Sequence, residues 1–264
     1  MKQILKSIIL MCLVILFSTS LAKAHFLVLI PDSDNVESSK REVKIETRFT
    51  HPMEGGPNMV FKILDSGALV RGKKIELEWK KRLIPSMKGS SKKVPMYLTI
   101  LKITKPGVYQ VYVDPEPYFE PSEEKYIKQI TKVLIQAFGL EEGWDTPIGL
   151  KAEIIPLVKP FAIWEGNTFK GQVLINGKPA RNIEVEVEYL NTKNIKAPYE
   201  SFITQVVKTD ENGYFEYTIP WAGWWGFSAL GDGGTLKGPD GKDYPLELDA
   251  VMWIKAYSKP KEVK

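Results

Sequence analysis

Cysteine and histidine are nearly absent: the 264-residue chain has one of the first and two of the second. A lone Cys12 excludes an intrachain disulfide and any thiolate cage for zinc or an iron–sulfur centre. A Ser-His-Asp hydrolase would have to recruit His25 or His51, the only imidazoles. No Gly-x-Ser-x-Gly, phosphate loop, dinucleotide fingerprint or His-Glu-x-x-His motif occurs. Acids are plentiful enough for a paired-carboxylate glycosidase, but nothing in their spacing points to one. Long apolar runs are missing too. The longest, at 8–17, falls short of the ~20 residues a membrane span requires. Excess charge is also small, with 36 basic against 32 acidic residues. That balance implies no polycationic nucleic-acid surface and no strong field of either sign. Spaced aspartates at 31–35 and 238–243 do not fit the twelve-residue calcium loop and read as turns.

What is present begins with a leader. Lys2 and Lys6 precede the apolar run IILMCLVILF, and Ala22-Lys23-Ala24 supplies a small-x-small cleavage site. This pattern describes a secretory signal peptide over residues 1–24. Cleavage after Ala24 removes Cys12 and three lysines, leaving 33 basic against 32 acidic residues. The exported chain then has neither thiol nor disulfide, and its stability must come from core burial. It also begins with histidine.

Period-two alternation dominates the rest. REVKIETRFTH at 41–51 puts Val43, Ile45, Thr47, Phe49 and His51 on one face. HFLVLI at 25–30 reads as a strand buried on both faces, and 73–84, 95–103 and 107–115 as further strands. One segment departs from this pattern. PSEEKYIKQITKVLIQAFG places Ile127, Ile130, Val133, Leu134, Ala137 and Phe138 on one helical face, with Pro121 and two glutamates at its start and Gly139 at its end. The spacing predicts an α-helix over 121–138. Pro156 and Pro160 mark a boundary. Asn-Gly pairs at 176–177 and 212–213 mark tight turns among the strands that follow. The expected architecture is mainly β, two antiparallel sandwiches of immunoglobulin-like or transthyretin-like type. An N-terminal β domain with the helix spans 25–157, and a C-terminal sandwich spans 158–258.

A terminal histidine offers its α-amine, with a pKa of about 7.7–8.0, and its ring, about 6.5. Both deprotonate easily enough to chelate one metal ion. If the first two strands run antiparallel, joined by the turn-rich 31–40, the start of one meets the end of the other. His25 and His51 then share a sheet edge. The loop after His51 adds Met53, Glu54 and Met59. Amine, imidazole, carboxylate and thioether together suit Ni²⁺, Co²⁺ or Cu²⁺ better than Mg²⁺ or Ca²⁺. Against this stand plain structural roles: His51 capping a strand, Glu54 solvated, Met53 and Met59 packed. Trp221, Trp224, Trp225 and Phe227 read as packing before they read as a sugar platform. The acidic and aromatic stretch 114–124 lines a cleft or caps the expected helix.

THPMEGGPNM at 50–59, PYFEPSEEKYI at 117–127, TKVLIQAFGLEEGWDTPIGL at 131–150 and TQVVKTDENGYFEYTIPWAGWWGFSAL at 204–230 carry a resemblance across nearly the whole exported chain. It resembles an exported bacterial family catalogued as a domain of unknown function and labelled the periplasmic component of a cobalt or nickel ABC-type, energy-coupling-factor uptake system. The resemblance implies a periplasmic protein, not an enzyme, that binds Ni²⁺ or Co²⁺ and presents it to membrane transporter subunits. It also implies a further histidine in the loop after His51, where this chain reads Gly-Pro-Asn-Met. From Gly166 onward the chain resembles the carboxypeptidase-regulatory-like sandwich. Two other classes stay open: a copper histidine-brace oxidase acting on a glycan, and a structural module of the envelope in which both histidines are incidental.

Overall fold

The alternation at 42–50 buries Val43, Ile45, Thr47 and Phe49 while Glu42 and Lys44 stay exposed. A half-buried pleated surface requires this arrangement. The computed structural model describes residues 25–260. The expected leader and its expected cleavage site after Ala24 lie outside the described residues. Among those residues, no helix is long and apolar enough to cross a membrane.

In chain order the strands begin with β1 (Phe26–Pro31), β2 (Asn35–Val36), β3 (Glu42–Thr50), β4 (Ile63–Val70) and β5 (Lys73–Ile75). Next come β6 (Lys80–Pro85), β7 (Lys93–Lys102), β8 (Gly107–Pro115), β9 (Tyr118–Glu120) and β10 (Lys125–Ala137). Then follow β11 (Ala152–Pro156), β12 (Ile163–Trp164), β13 (Thr168–Ile175), β14 (Lys178–Pro179) and β15 (Glu184–Tyr189). Last are β16 (Gln205–Lys208), β17 (Tyr214–Thr218), β18 (Gly223–Lys237) and β19 (Asp243–Tyr257). A single 3₁₀ turn at Glu200–Phe202 is the only helical element among the described residues.

The strands form three sheets. A small sheet runs β1-β3-β7-β6. A large one runs β16-β15-β18-β19-β10-β8-β4-β5, with β12 beside β19 and β2 and β9 beside β10. The third joins β11, β13, β14 and β17. Successive side chains of a strand point to opposite faces, and this separates two cores. Odd-numbered Val133, Ile135, Val251 and Trp253 pack with Leu27, Leu29, Val43 and Ile45 of the first sheet. Even-numbered Ile130, Leu134, Ala250 and Met252 pack with Ile154, Phe169, Val173 and Phe215 of the third. The two small sheets therefore cover opposite faces of the large one. The result is a mainly β, sandwich architecture, as the alternation predicts. Strands from either side of residue 157 share the large sheet, because β10 pairs β19 in parallel over Tyr126–Val133.

The helix expected over 121–138 is not formed. Lys125–Ala137 is a thirteen-residue strand. It pairs β19 in parallel, β8 antiparallel, and β9 antiparallel at its start. Both of its faces are buried, so it has no polar side to fix a period. In a continuous apolar run a helical subset such as Ile127, Ile130, Val133 and Leu134 can always be picked out. The β-branched Ile127, Ile130, Thr131, Val133 and Ile135 favour the strand. Pro121 and the glutamates lie in the turn between β9 and β10, where Glu124 takes φ 50°.

One ion pair ties the third sheet to β10. Lys132 Nζ donates to Glu153 Oε1 at 2.6 Å, and both side chains are 1% exposed. Glu153 also accepts from the backbone N–H groups of Ile148, Gly149 and Leu150. Removing one partner of such a pair leaves a buried charge without compensation. Glu153→Ala is expected to lower stability by about 3–5 kcal/mol in urea unfolding. A loss below about 1 kcal/mol would mean that the pair does not brace the two sheets.

Candidate metal centre

β1 and β3 are antiparallel, with Phe26 opposite Thr50. One step beyond that pair, His25 meets His51. Their ring centroids lie 4.3 Å apart with the planes at 44°. Antiparallel pairing of the first two long strands brings the two imidazoles together. His51 is 4% exposed, and His25 is half-buried against Phe49 at 5.5 Å and Tyr118 at 6.1 Å. Burial, and then repulsion from His51, lowers the His25 ring from 6.5 to about 4, against the pull of Glu120 and Glu123. At neutral pH the ring is uncharged, the form a metal ligand must take.

The separation suits a shared ion. A metal–nitrogen bond of about 2.0–2.1 Å places each ring centroid about 3.2 Å from the metal, so two rings subtending a right angle at a shared ion would sit about 4.5 Å apart. Among the described residues no group of three or more His, Cys, Asp or Glu side chains gathers into a cage. Further donors would have to be an amine freed at His25, a thioether, main-chain oxygen or water.

The loop residues separate. Met53 is buried in the second core, its N–H donating to Glu188 Oε2 at 3.0 Å and its carbonyl accepting from Asn191 Nδ2 at 2.9 Å. This is the packing role. Glu54 is exposed. Met59 bridges Phe49, its N–H donating to the Phe49 carbonyl at 2.8 Å. It packs on the first core, on the face that also carries His51 two residues beyond Phe49. Gly55 and Gly56 N–H both donate to the His51 carbonyl. Gly55 takes φ 78° and Gly56 φ 140°, which glycine adopts without a Cβ clash.

His25 is held by residues that sequence reasoning missed. Gln129 of β10 donates from Nε2 to the His25 carbonyl at 2.6 Å and accepts the Leu27 N–H at 2.7 Å. The same Nε2 lies 3.2 Å from Asp249 Oδ2. Asp249 is fully buried, and burial, with Glu247 nearby, holds it well above the usual carboxylate range. Thr131 and Trp253 also donate to the Leu27 carbonyl. Gly226, opposite Trp253, makes room for that indole, since a Cβ there would lie 2.8 Å from it. The acidic and aromatic stretch 114–124 does border the site, through Tyr118 and Glu120. Trp225 and Phe227 are buried, Trp225 stacking on Tyr189 and Trp221, so this cluster is mostly core.

A family model described as Domain of unknown function (DUF4198) matches residues 22–233. No curated protein matches the chain. Among solved structures it is similar to the D00-D0 domain of intimin, at 12% identity over 89% of this chain and all of that one, with a TM-score of 0.20. It is also similar to E. coli alpha-2-macroglobulin, at 8% identity over 88% of this chain and 14% of that one, TM-score 0.24. A third is BcpA, the major pilin subunit of Bacillus cereus, at 10% identity over 89% and 67%, TM-score 0.21. Similarity at this level carries no argument about function.

Glu188 pins the loop after His51, accepting from Met53 N–H and from Thr204 Oγ1. Burial pushes its carboxyl from 4.5 up to about 8. Between those values the folded chain keeps a proton that the unfolded chain has released. Its contribution is therefore complete below the unfolded pKa and is lost as pH rises through the folded one. Urea unfolding at pH 5 and pH 8 is expected to show the wild type losing roughly 2–4 kcal/mol relative to Glu188→Gln across that interval. Parallel pH profiles for the two proteins would refute the assignment.

Proposed function

We propose, for a chain that belongs to the DUF4198 family, that its exported form binds a divalent late first-row metal ion at the edge where His25 meets His51. Ni²⁺ or Co²⁺ is the cargo, with Cu²⁺ as a competitor for the same nitrogen donors. The protein carries this ion in the periplasm and presents it to subunits of a membrane uptake transporter. The observation that carries the reading is the 4.3 Å approach of the only two imidazoles in the chain, one of them at the residue where the leader is expected to end.

The chemistry is ligand exchange, not bond making in a substrate. The α-amine and ring of His25 close a chelate, His51 adds a third nitrogen, and open positions are left for water or for the receiving protein's ligands. Met59, on the loop that follows His51, is the remaining side-chain donor of this reading; Met53 is withdrawn into the core, and Glu54 does not gather with the two histidines. Gln129 fixes the His25 carbonyl and thereby the direction in which the amine leaves the strand. Outer partners of this kind orient metal ligands and tune their affinity. The resemblance to a family labelled as nickel and cobalt uptake components supports the choice of cargo and of partner. The tryptophan cluster does not favour the glycan-oxidase alternative, because Trp225 and Phe227 are in the core.

N-terminal sequencing of the exported protein, then calorimetric titration with Ni²⁺, Co²⁺, Cu²⁺ and Zn²⁺, tests the proposal. One site per chain is expected. His51→Ala, or one extra residue ahead of His25, should weaken it by about tenfold or more. A mature chain beginning elsewhere, or affinities unmoved by both changes, would refute it.

A further inference from the structure

The near balance of charge conceals a segregation. Residues 79–113 contain Lys80, Lys81, Arg82, Lys88, Lys92, Lys93, Lys102 and Lys105, and no aspartate or glutamate. All eight cations are exposed. Among the described residues none of the eight takes part in an ion pair, whereas Lys40, Lys62, Lys74 and Lys125 elsewhere do. The eight lie on β6, β7, their hairpin and the turn that follows β7. Apolar side chains stand exposed between the cations: Leu83 at 60%, Met87 at 55% and Ile100 at 50%. On the outer face of the first sheet, Lys44, Lys80, Arg82 and Lys102 wall a groove of about 690 Å³ that contains Leu98 and Ile100. Glu76 and Glu78, just before the segment, are the acids on this groove.

We infer that the β6–β7 hairpin and the adjoining outer face of the first sheet dock on an anionic phospholipid bilayer. Lysines and arginines near such a surface gain from its negative potential, while neighbouring apolar side chains enter the boundary between headgroups and acyl chains. Leu83 and Met87 among lysines meet both requirements. A nucleic-acid backbone would use the cations and leave these apolar groups unburied. An added peptide strand is disfavoured, because β6 is an edge strand carrying Lys80, Lys81, Arg82 and Pro85, features that oppose strand pairing. The position of the surface agrees with a membrane role. The hairpin lies at the end of the first sheet where β3 delivers His51, and the intervening loop is tied to it by Asn58 N–H to the Ser86 carbonyl and Ser86 Oγ to the Asn58 carbonyl. That docking also turns the histidine edge toward a membrane transporter rests on the reading of the metal site; the docking itself does not.

Co-sedimentation of the exported protein with vesicles of phosphatidylcholine, alone or with about one third phosphatidylglycerol, tests the inference. The protein should pellet with the anionic vesicles only, and release as ionic strength rises from about 0.05 to 0.5 M. The variants K80E/K81E/R82E and K88E/K92E/K93E should each partition at least about tenfold less, and Leu83→Ser should weaken binding at fixed charge. The variant K208E/K237E, on distant strands, should bind as wild type. Thermal melts check that each variant folds. Nickel titration should be unchanged in all of them, so a failed metal site and a failed docking surface give different results. Equal binding to neutral vesicles, no binding at low salt, or wild-type binding by both triple variants would each overturn the assignment, and no vesicle binding together with retention on immobilised polyglutamate would identify an acidic protein chain as the occupant.

Discussion

β10 has to serve two cores at once, and the rest of the molecule is arranged around that requirement. Its odd-numbered residues support the first sheet and its even-numbered residues the third. A strand covered on both faces must place every backbone group in a ladder, and its few polar side chains must find partners or cost free energy. Here Lys132 is answered by Glu153 on one face, and Gln129 and Thr131 by the backbone of β1 on the other. The parallel register with β19 adds Trp253 and Asp249 to the same odd-numbered face.

The histidine edge is a consequence of that arrangement. β1 is an edge strand of its own sheet, bonded only to β3 within it. It is held from beneath by side chains of the large sheet, which take up the backbone groups of His25 and Leu27. A loose strand end would sample many positions. One bonded at the His25 carbonyl has few, and this pre-organisation lowers the ordering cost of any ligand bound there. His51 is fixed by different means, through burial and the curl of Gly55 and Gly56 back onto its carbonyl.

What could be read from the sequence depended on whether one face of an element met solvent. β3 alternates because Glu42 and Lys44 face out, so its register and the meeting of His25 with His51 followed from pattern and topology. β10 meets no solvent along most of its length, and its apolar run was compatible with either period. The Gln129 contact was hidden for the same reason. Its partners, His25 and Asp249, lie 104 and 120 residues away, and no local pattern encodes a parallel pairing across that distance. Met53 looked like a loop donor beside His51 because nothing local shows Glu188 drawing its N–H inward.

Net charge misled for a related reason: it is a sum, and folding acts on positions. With acids missing from 79–113, the remainder of the chain is correspondingly acid-rich; there burial, and then Glu247 beside it, pushes Glu186 up to about 7. The first sheet thus has two unlike edges. The β1 edge carries the neutral His25 imidazole, its carbonyl joined through Gln129 to the buried Asp249, and β6 presents unpaired cations to solvent. The loop 52–59 spans the end of the sheet between them, anchored at one side by the His51 carbonyl and at the other by Ser86. The two rings are therefore held by different devices, His25 through its carbonyl on Gln129 and His51 through burial and the loop that closes on its carbonyl.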